Sequence, residues 1–255
     1  MVINYKLILF VYCPVLLLLL IANLRDRFEP RNDALKSCNW SLFPAIIALF
    51  FLLSGELIRN LWYVKLIPIL VNIPYTASNS GIFSFFYMSI ILISLYLFLK
   101  YAYKISIIKV FHLNFSQVPF ILKFCAVLTV INIFCLRFLD FNLLLNPKIS
   151  EIGYMKSLDI KQLALFFLVT IVLAPILEES LFRGLLYSPL YRKVGRYLAI
   201  ILSSLIWTVG HFQPLLPSVG IFMAGILLTW LYDRSGSLIH PIIFHIFINS
   251  WIVLY

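Results

Sequence analysis

Glu178, Glu179 and Arg183 stand in "APILEESLFRG" (174–184), within a run that is otherwise apolar. A charged side chain inside a membrane-length run costs about 2.5 to 3.5 kcal/mol to insert, so it faces the bundle interior and finds a partner. In helical register Glu179 and Arg183 lie at i and i+4, close enough for an ion pair, whereas Glu178 is rotated by about 100° and meets a different neighbour. One arginine cannot neutralise two glutamates. Spacing alone does not say which is paired, because Glu178 also reaches Arg183 in another rotamer.

Three of the four histidines follow, His211 in "SLIWTVGHFQP" and His240 and His245 in "SLIHPIIFHIFINS". A single histidine in such a run is most often a hydrogen-bonded packing residue. Here they are grouped: Trp207 lies four residues before His211 and Asn249 four after His245, so each pair shares a helical face. His240, just before Pro241, is expected at the start of the last helix or at the interface, and His112 in a solvated loop. A carboxylate without a counter-charge, set among imidazoles and an amide, can activate water and stabilise an oxyanion. The same side chains bind zinc or relay protons. The zinc reading lacks H-E-x-x-H, and the transporter reading lacks an internal repeat.

The elements that position these residues are membrane helices. The 255-residue chain is 63% hydrophobic and 12% charged, with a mean hydropathy of +1.02, far from a soluble domain, where about a quarter of residues are charged. Taking about 20 apolar residues per span, the sequence predicts an all-α, polytopic transmembrane bundle of about eight spans, at roughly 5–23, 41–58, 82–103, 117–137, 163–187, 197–214, 218–232 and 237–255. The run after Lys6 is followed by "IANLRDRF", a poor cleavage site, and is expected to be a retained first span. Segment 62–75, with Lys65 and Pro68, is expected at the interface. Residues 1–160 then form N-terminal helices without a motif, and 161–255 the helices that carry the polar groups.

Lys and Arg outnumber Asp and Glu by 20 to 10, but they sit between apolar runs, which reads as topology and excludes a nucleic-acid partner. Their clustering at Arg25 to Lys36, Lys100 to Lys109, Arg192 to Arg196 and Arg234 predicts cytoplasmic loops there and both termini outside. The cysteines, Cys13, Cys38, Cys125 and Cys135, have neither zinc nor disulfide-framework spacing. Glu178 lies about ten residues in from the loop at 189–196 and His211 about fifteen beyond Arg196, so at about 1.5 Å per residue both are expected well inside the bilayer. Glu178, His211, His245 and Asn249 are thus expected around one internal cavity reached from the cytoplasmic face.

This pattern resembles the CPBP intramembrane proteases, named for CAAX processing and bacteriocin processing and also called Abi proteins. E-E-x-x-x-R is matched by Glu178, Glu179 and Arg183. F-x-x-x-H is matched at His211, with Trp207 in place of phenylalanine, and H-x-x-x-N at His245 and Asn249. The likeness covers roughly residues 165–255. It implies a glutamate-dependent endopeptidase of the cell membrane with no required metal or other cofactor, acting on a membrane-associated protein or peptide. In the roles it implies, Glu178 is the base, His211 orients or shares the proton, His245 and Asn249 donate to the oxyanion, and Glu179 with Arg183 anchors the helix. A prenylated CAAX protein, a bacteriocin precursor or another membrane-anchored peptide is left open as substrate. A non-catalytic scaffold or immunity protein of the same fold, or a proton relay, is the alternative.

Overall fold

The computed structural model describes residues 41–58, 77–102, 118–119, 121–123, 125–126 and 159–254. The expected span at 5–23, most of 117–137, the segment 62–75, His112 and the cysteines other than Cys125 lie outside the described residues. So do the loop bases Arg25 to Lys36, Lys104 and Lys109. Six helices are described: α1 (Phe43–Ile58), α2 (Ala77–Ala102), α3 (Ile160–Val194), α4 (Arg196–Val209), α5 (Leu215–Ser235) and α6 (Ile239–Leu254). The expected all-helical class is what the described residues adopt, with no strand among them. The count of eight spans is not confirmed. Among the described residues only α3, 35 residues long, is long and apolar enough to cross a membrane by itself. α4 is apolar but has 14 residues, about 21 Å at 1.5 Å per residue.

α3 starts on a reciprocal cap. Asp159 Oδ1 accepts from Gln162 N–H at 2.8 Å, and Gln162 Oε1 accepts from Asp159 N–H at 3.0 Å, which satisfies two of the free donors at the helix start. The helix then passes two prolines, Pro175 and Pro189, each one residue into an α-helical stretch that follows a π-helical turn, Leu168–Leu173 and Ser180–Tyr187. A helical proline has no N–H to donate, and its ring crowds the carbonyl four residues back. A wider turn just ahead of it relieves that crowding without ending the helix. The loop expected from Pro189 to Arg196 is therefore helical through Val194, and the reversal is made at Gly195 alone, with φ 82°. That left-handed value favours glycine.

A buried polar clasp closes this reversal. Tyr187 O–H donates to Asp233 Oδ1 at 2.6 Å, and Arg196 Nη2 lies 2.5 Å from Asp233 Oδ2. The end of α3, the start of α4 and the end of α5 are thereby tied together, so Arg196 is an ion-pair partner as well as a loop base. α1 lies against the second wide turn of α3 and buries Ala45 and Ala48, small residues that permit close approach. α4 and α5 pack most closely at Gly225, where an added Cβ would stand 3.0 Å from both Ser204 Cβ and Trp207 Cε3.

Gly225→Ala is accordingly expected to destabilise the bundle by about 1 to 3 kcal/mol, the usual cost of overpacking. Thermal unfolding in detergent micelles measures it. An unchanged midpoint would show that α4 and α5 have room to separate.

Candidate active site

The two adjacent glutamates part company in space. Glu179 and Arg183 are fully buried, and Arg183 Nη1 donates to Glu179 Oε1 at 2.9 Å. The remaining guanidinium donors turn to α5. Nη2 donates to the Gly225 carbonyl at 3.0 Å and Nε to Thr229 Oγ1 at 3.2 Å. The cation also lies 4.9 Å from the Trp207 ring centroid. A buried charge is tolerated when it is paired and its donors are occupied, and Arg183 meets both conditions. Glu179 Oε1 carries a second bond, to His245 Nδ1 at 2.7 Å. Because a carboxylate oxygen accepts, the proton sits on Nδ1 of His245. Glu179 Oε2 is buried with no hydrogen-bond partner.

Glu178 faces another way and takes no hydrogen bond from Arg183. Its Oε2 accepts from the Trp207 indole Nε1–H at 2.6 Å and lies 3.9 Å from His211 Nε2. The Glu178 and His211 side chains retain 21% and 30% exposure, so this pair, unlike Glu179 and Arg183, is partly accessible from outside the bundle. His211 Nδ1 donates to the Trp207 carbonyl at 2.8 Å, which leaves Nε2 pointing its lone pair toward Glu178 in the neutral ring. The 3.9 Å separation is too long for a direct bond and short enough for one water to reach both groups.

Trp207 stands between the two glutamate centres. Its ring is 4.7 Å from that of His211 and 5.5 Å from that of His245, edge to face in each case. Asn249, four residues beyond His245, donates from Nδ2 to the Thr170 carbonyl at 2.8 Å, so one of its two amide hydrogens is already used. His240 is the second residue of α6, at the helix start where it was expected; it is buried and makes no hydrogen bond to this group.

Of the residues singled out in the sequence, the structure brings Glu178, Trp207 and His211 into one cluster and Glu179, Arg183 and His245 into another. Asn249 bonds to the Thr170 carbonyl and makes no hydrogen bond to either cluster. Thr229, Gly225 and Thr170 went unnoticed in the sequence. Thr229 and Thr170 each satisfy their own hydroxyl on the carbonyl four residues back, at 2.8 and 2.7 Å, the ordinary state of a helical threonine. Nothing local marks them as partners of a distant side chain. Among the described residues no three His, Cys, Asp or Glu side chains converge as metal donors.

Comparison with known proteins adds to this geometry. Residues 160–251 match the family model described as type II CAAX prenyl endopeptidase Rce1-like. The chain is 30% identical over 96 residues to "Putative membrane peptidase YdiL" of Bacillus subtilis (strain 168), a match covering 37% of this chain and 38% of that protein. It is also 30% identical over 91 residues to "Uncharacterized 24.3 kDa protein" of Escherichia coli, covering 34% of this chain and 42% of that one. The chain thus spans about two fifths of the length of the curated relatives it matches. No solved structure gives a significant match.

The partnership of Glu179 with Arg183 predicts the behaviour of its variants. Glu179→Gln leaves the guanidinium buried without its counter-charge, a loss of about 3 to 5 kcal/mol. Thermal midpoint and yield in detergent should fall together, and adding Arg183→Met should recover part of both. No recovery in the double variant would show that the pair does not act as a unit.

Proposed function

We propose that the protein, whose residues 160–251 match the family model described as type II CAAX prenyl endopeptidase Rce1-like, is an intramembrane glutamic endopeptidase that cleaves a membrane-associated protein or peptide. The match supports reading the chain as an integral membrane protein of the CAAX-protease kind. In the proposed reading it sits in the cell membrane with its active site open to the cytoplasm and needs no metal. Prenylated CAAX proteins are the favoured substrates, because the matching family is described by that activity.

One observation carries the reading. Of two adjacent carboxylates, the buried cation takes Glu179, and Glu178 is left partly exposed beside a histidine. A water seated between Glu178 Oε2 and His211 Nε2 donates a hydrogen to each. Glu178 removes a proton as the water oxygen attacks the scissile carbonyl, forming the C–O bond and placing negative charge on the carbonyl oxygen. That oxyanion accepts from the second amide hydrogen of Asn249 and from His245 Nε2–H. With Nδ1–H committed to Glu179, His245 donates from Nε2 only in its doubly protonated form. Each such donor is commonly worth about 3 kcal/mol. Collapse breaks the C–N bond, and the proton held by Glu178 passes to the leaving amine.

Glu178→Gln keeps the shape of the side chain and removes the proton acceptor, so turnover should fall by at least about a hundredfold. Thermal stability should stay near that of the parent. The measurement uses full-length protein in liposomes with an internally quenched farnesylated CAAX peptide. Full activity in this variant would remove Glu178 as the base and favour a scaffold role. Treatment with a strong chelator should leave the parent rate unchanged, and loss on chelation with recovery on adding zinc would overturn the metal-free mechanism.

A further inference from the structure

At position 207 an aromatic wall needs only an apolar ring, yet this chain places there the one aromatic side chain with an indole N–H. That N–H is not idle. It donates to Glu178 Oε2 at 2.6 Å, a short bond to a charged acceptor, about twice as strong as one between neutral groups. The indole itself has no freedom to wander. Trp207 is buried. Gly225 backs one edge of the ring so closely that a Cβ there would stand 3.0 Å from Cε3. The Arg183 cation lies over the ring, and the imidazoles of His211 and His245 pack edge to face with it.

We propose that Trp207 is a positioning residue for the reaction: its N–H fixes the Glu178 carboxylate, holding Oε2 toward His211 where the attacking water is bound. The inference rests on the reading of Glu178 as the base. A glutamate has three side-chain torsions, and without a fixed donor its carboxylate turns away from His211 for part of the time. The carboxylate of Glu179 is held by Arg183 and His245. Glu178 has no such cation, and the indole supplies the corresponding constraint while leaving the charge free to act as a base. Because Arg183, Gly225 and both imidazoles set the plane of the ring, the direction of the N–H is fixed by the buried centre. Trp207 thus carries the order of the Glu179 cluster across to Glu178.

The test separates this role from simple packing. With full-length protein in detergent micelles, labelled with 15N at the indoles, the Trp207 N–H signal is assigned by its loss in Trp207→Phe. It should lie downfield and move upfield in Glu178→Gln, where the acceptor is neutral. A signal that does not respond to Glu178→Gln would show that the bond is not formed and would overturn the proposal without any activity measurement. With the farnesylated CAAX peptide, Trp207→Phe should lower kcat by about ten- to a hundredfold, the loss expected for a hydrogen bond to a charged group, with KM little changed. Benzothienylalanine at position 207, which replaces the N–H by sulfur and keeps the ring shape, should reproduce that loss with an unchanged thermal midpoint. In the Glu178→Gln background Trp207→Phe should cost nothing further. If Glu178→Gln is inactive and the benzothienyl protein keeps full kcat, the positioning role is wrong and the base assignment stands. If Glu178→Gln retains full activity, the base assignment itself is wrong, and the positioning role falls with it.

Discussion

A guanidinium buried to 0% exposure at Arg183 is the constraint from which the rest of the site follows. Removing such a cation from water costs several kcal/mol even after relaxation, and the cost is recovered only with good geometry and occupied donors. Arg183 obtains these from three directions. Glu179 lies on its own helix, the Gly225 carbonyl and Thr229 hydroxyl come from α5, and the face of Trp207 comes from α4. Glu179 then passes the connection on to His245 of α6. One charge therefore sets the relative placement of four helices. Gly225 is required twice over, since its carbonyl must reach the guanidinium while its missing side chain lets Trp207 and Ser204 close in.

The two glutamates are neighbours in sequence and opposites in environment. Glu179 shares one oxygen between a guanidinium and an imidazole in a closed interior, which suits an anchor. Glu178 has a neutral donor, a histidine across a water-sized gap, and partial exposure, which suits a group that must exchange a proton. Identical side chains thus acquire different capacities from what touches them. The wide turns of α3 are part of this arrangement, because they bracket the short α-helical piece, Ala174–Glu179, that ends on both carboxylates. Each extra residue in a turn rotates everything beyond it, so the prolines that call for these turns help set which face each glutamate presents.

Much of this was legible because the signals are chemical and local. Two carboxylates and an arginine in an apolar run demand partners, and the i, i+4 spacing is compatible with Glu179 as the partner of Arg183 without excluding Glu178. The helical class followed from hydropathy. Helix limits were less legible. Pro189 and the bases after it read as a loop, whereas the π-helical turn at Ser180–Tyr187 lets α3 run to Val194. Trp207 was legible as a ring and not as a donor, since the direction of an indole N–H depends on what packs against both faces. Asn249 shares the expected helical face with His245, yet its amide meets the Thr170 carbonyl, a pairing between helices that spacing within one helix does not encode.

Among the described residues, the hydrogen bonds that hold Glu178, Glu179, Arg183, His211, His245 and Asn249 all run within and between α3, α4 with the turn after it, α5 and α6. The family match covers the same stretch. α1 and α2 contribute differently: α1 covers the second wide turn of α3, and α2 lies along its first half, with apolar side chains exposed on the outer faces of both. Apolar cover of this kind depends on size and shape, and many sequences supply it. A hydrogen-bonded cluster around a buried charge depends on particular atoms at particular distances, and few sequences do. The polar centre lies wholly within the matched residues 160–251, while α1 and α2, which supply apolar cover, lie outside the match.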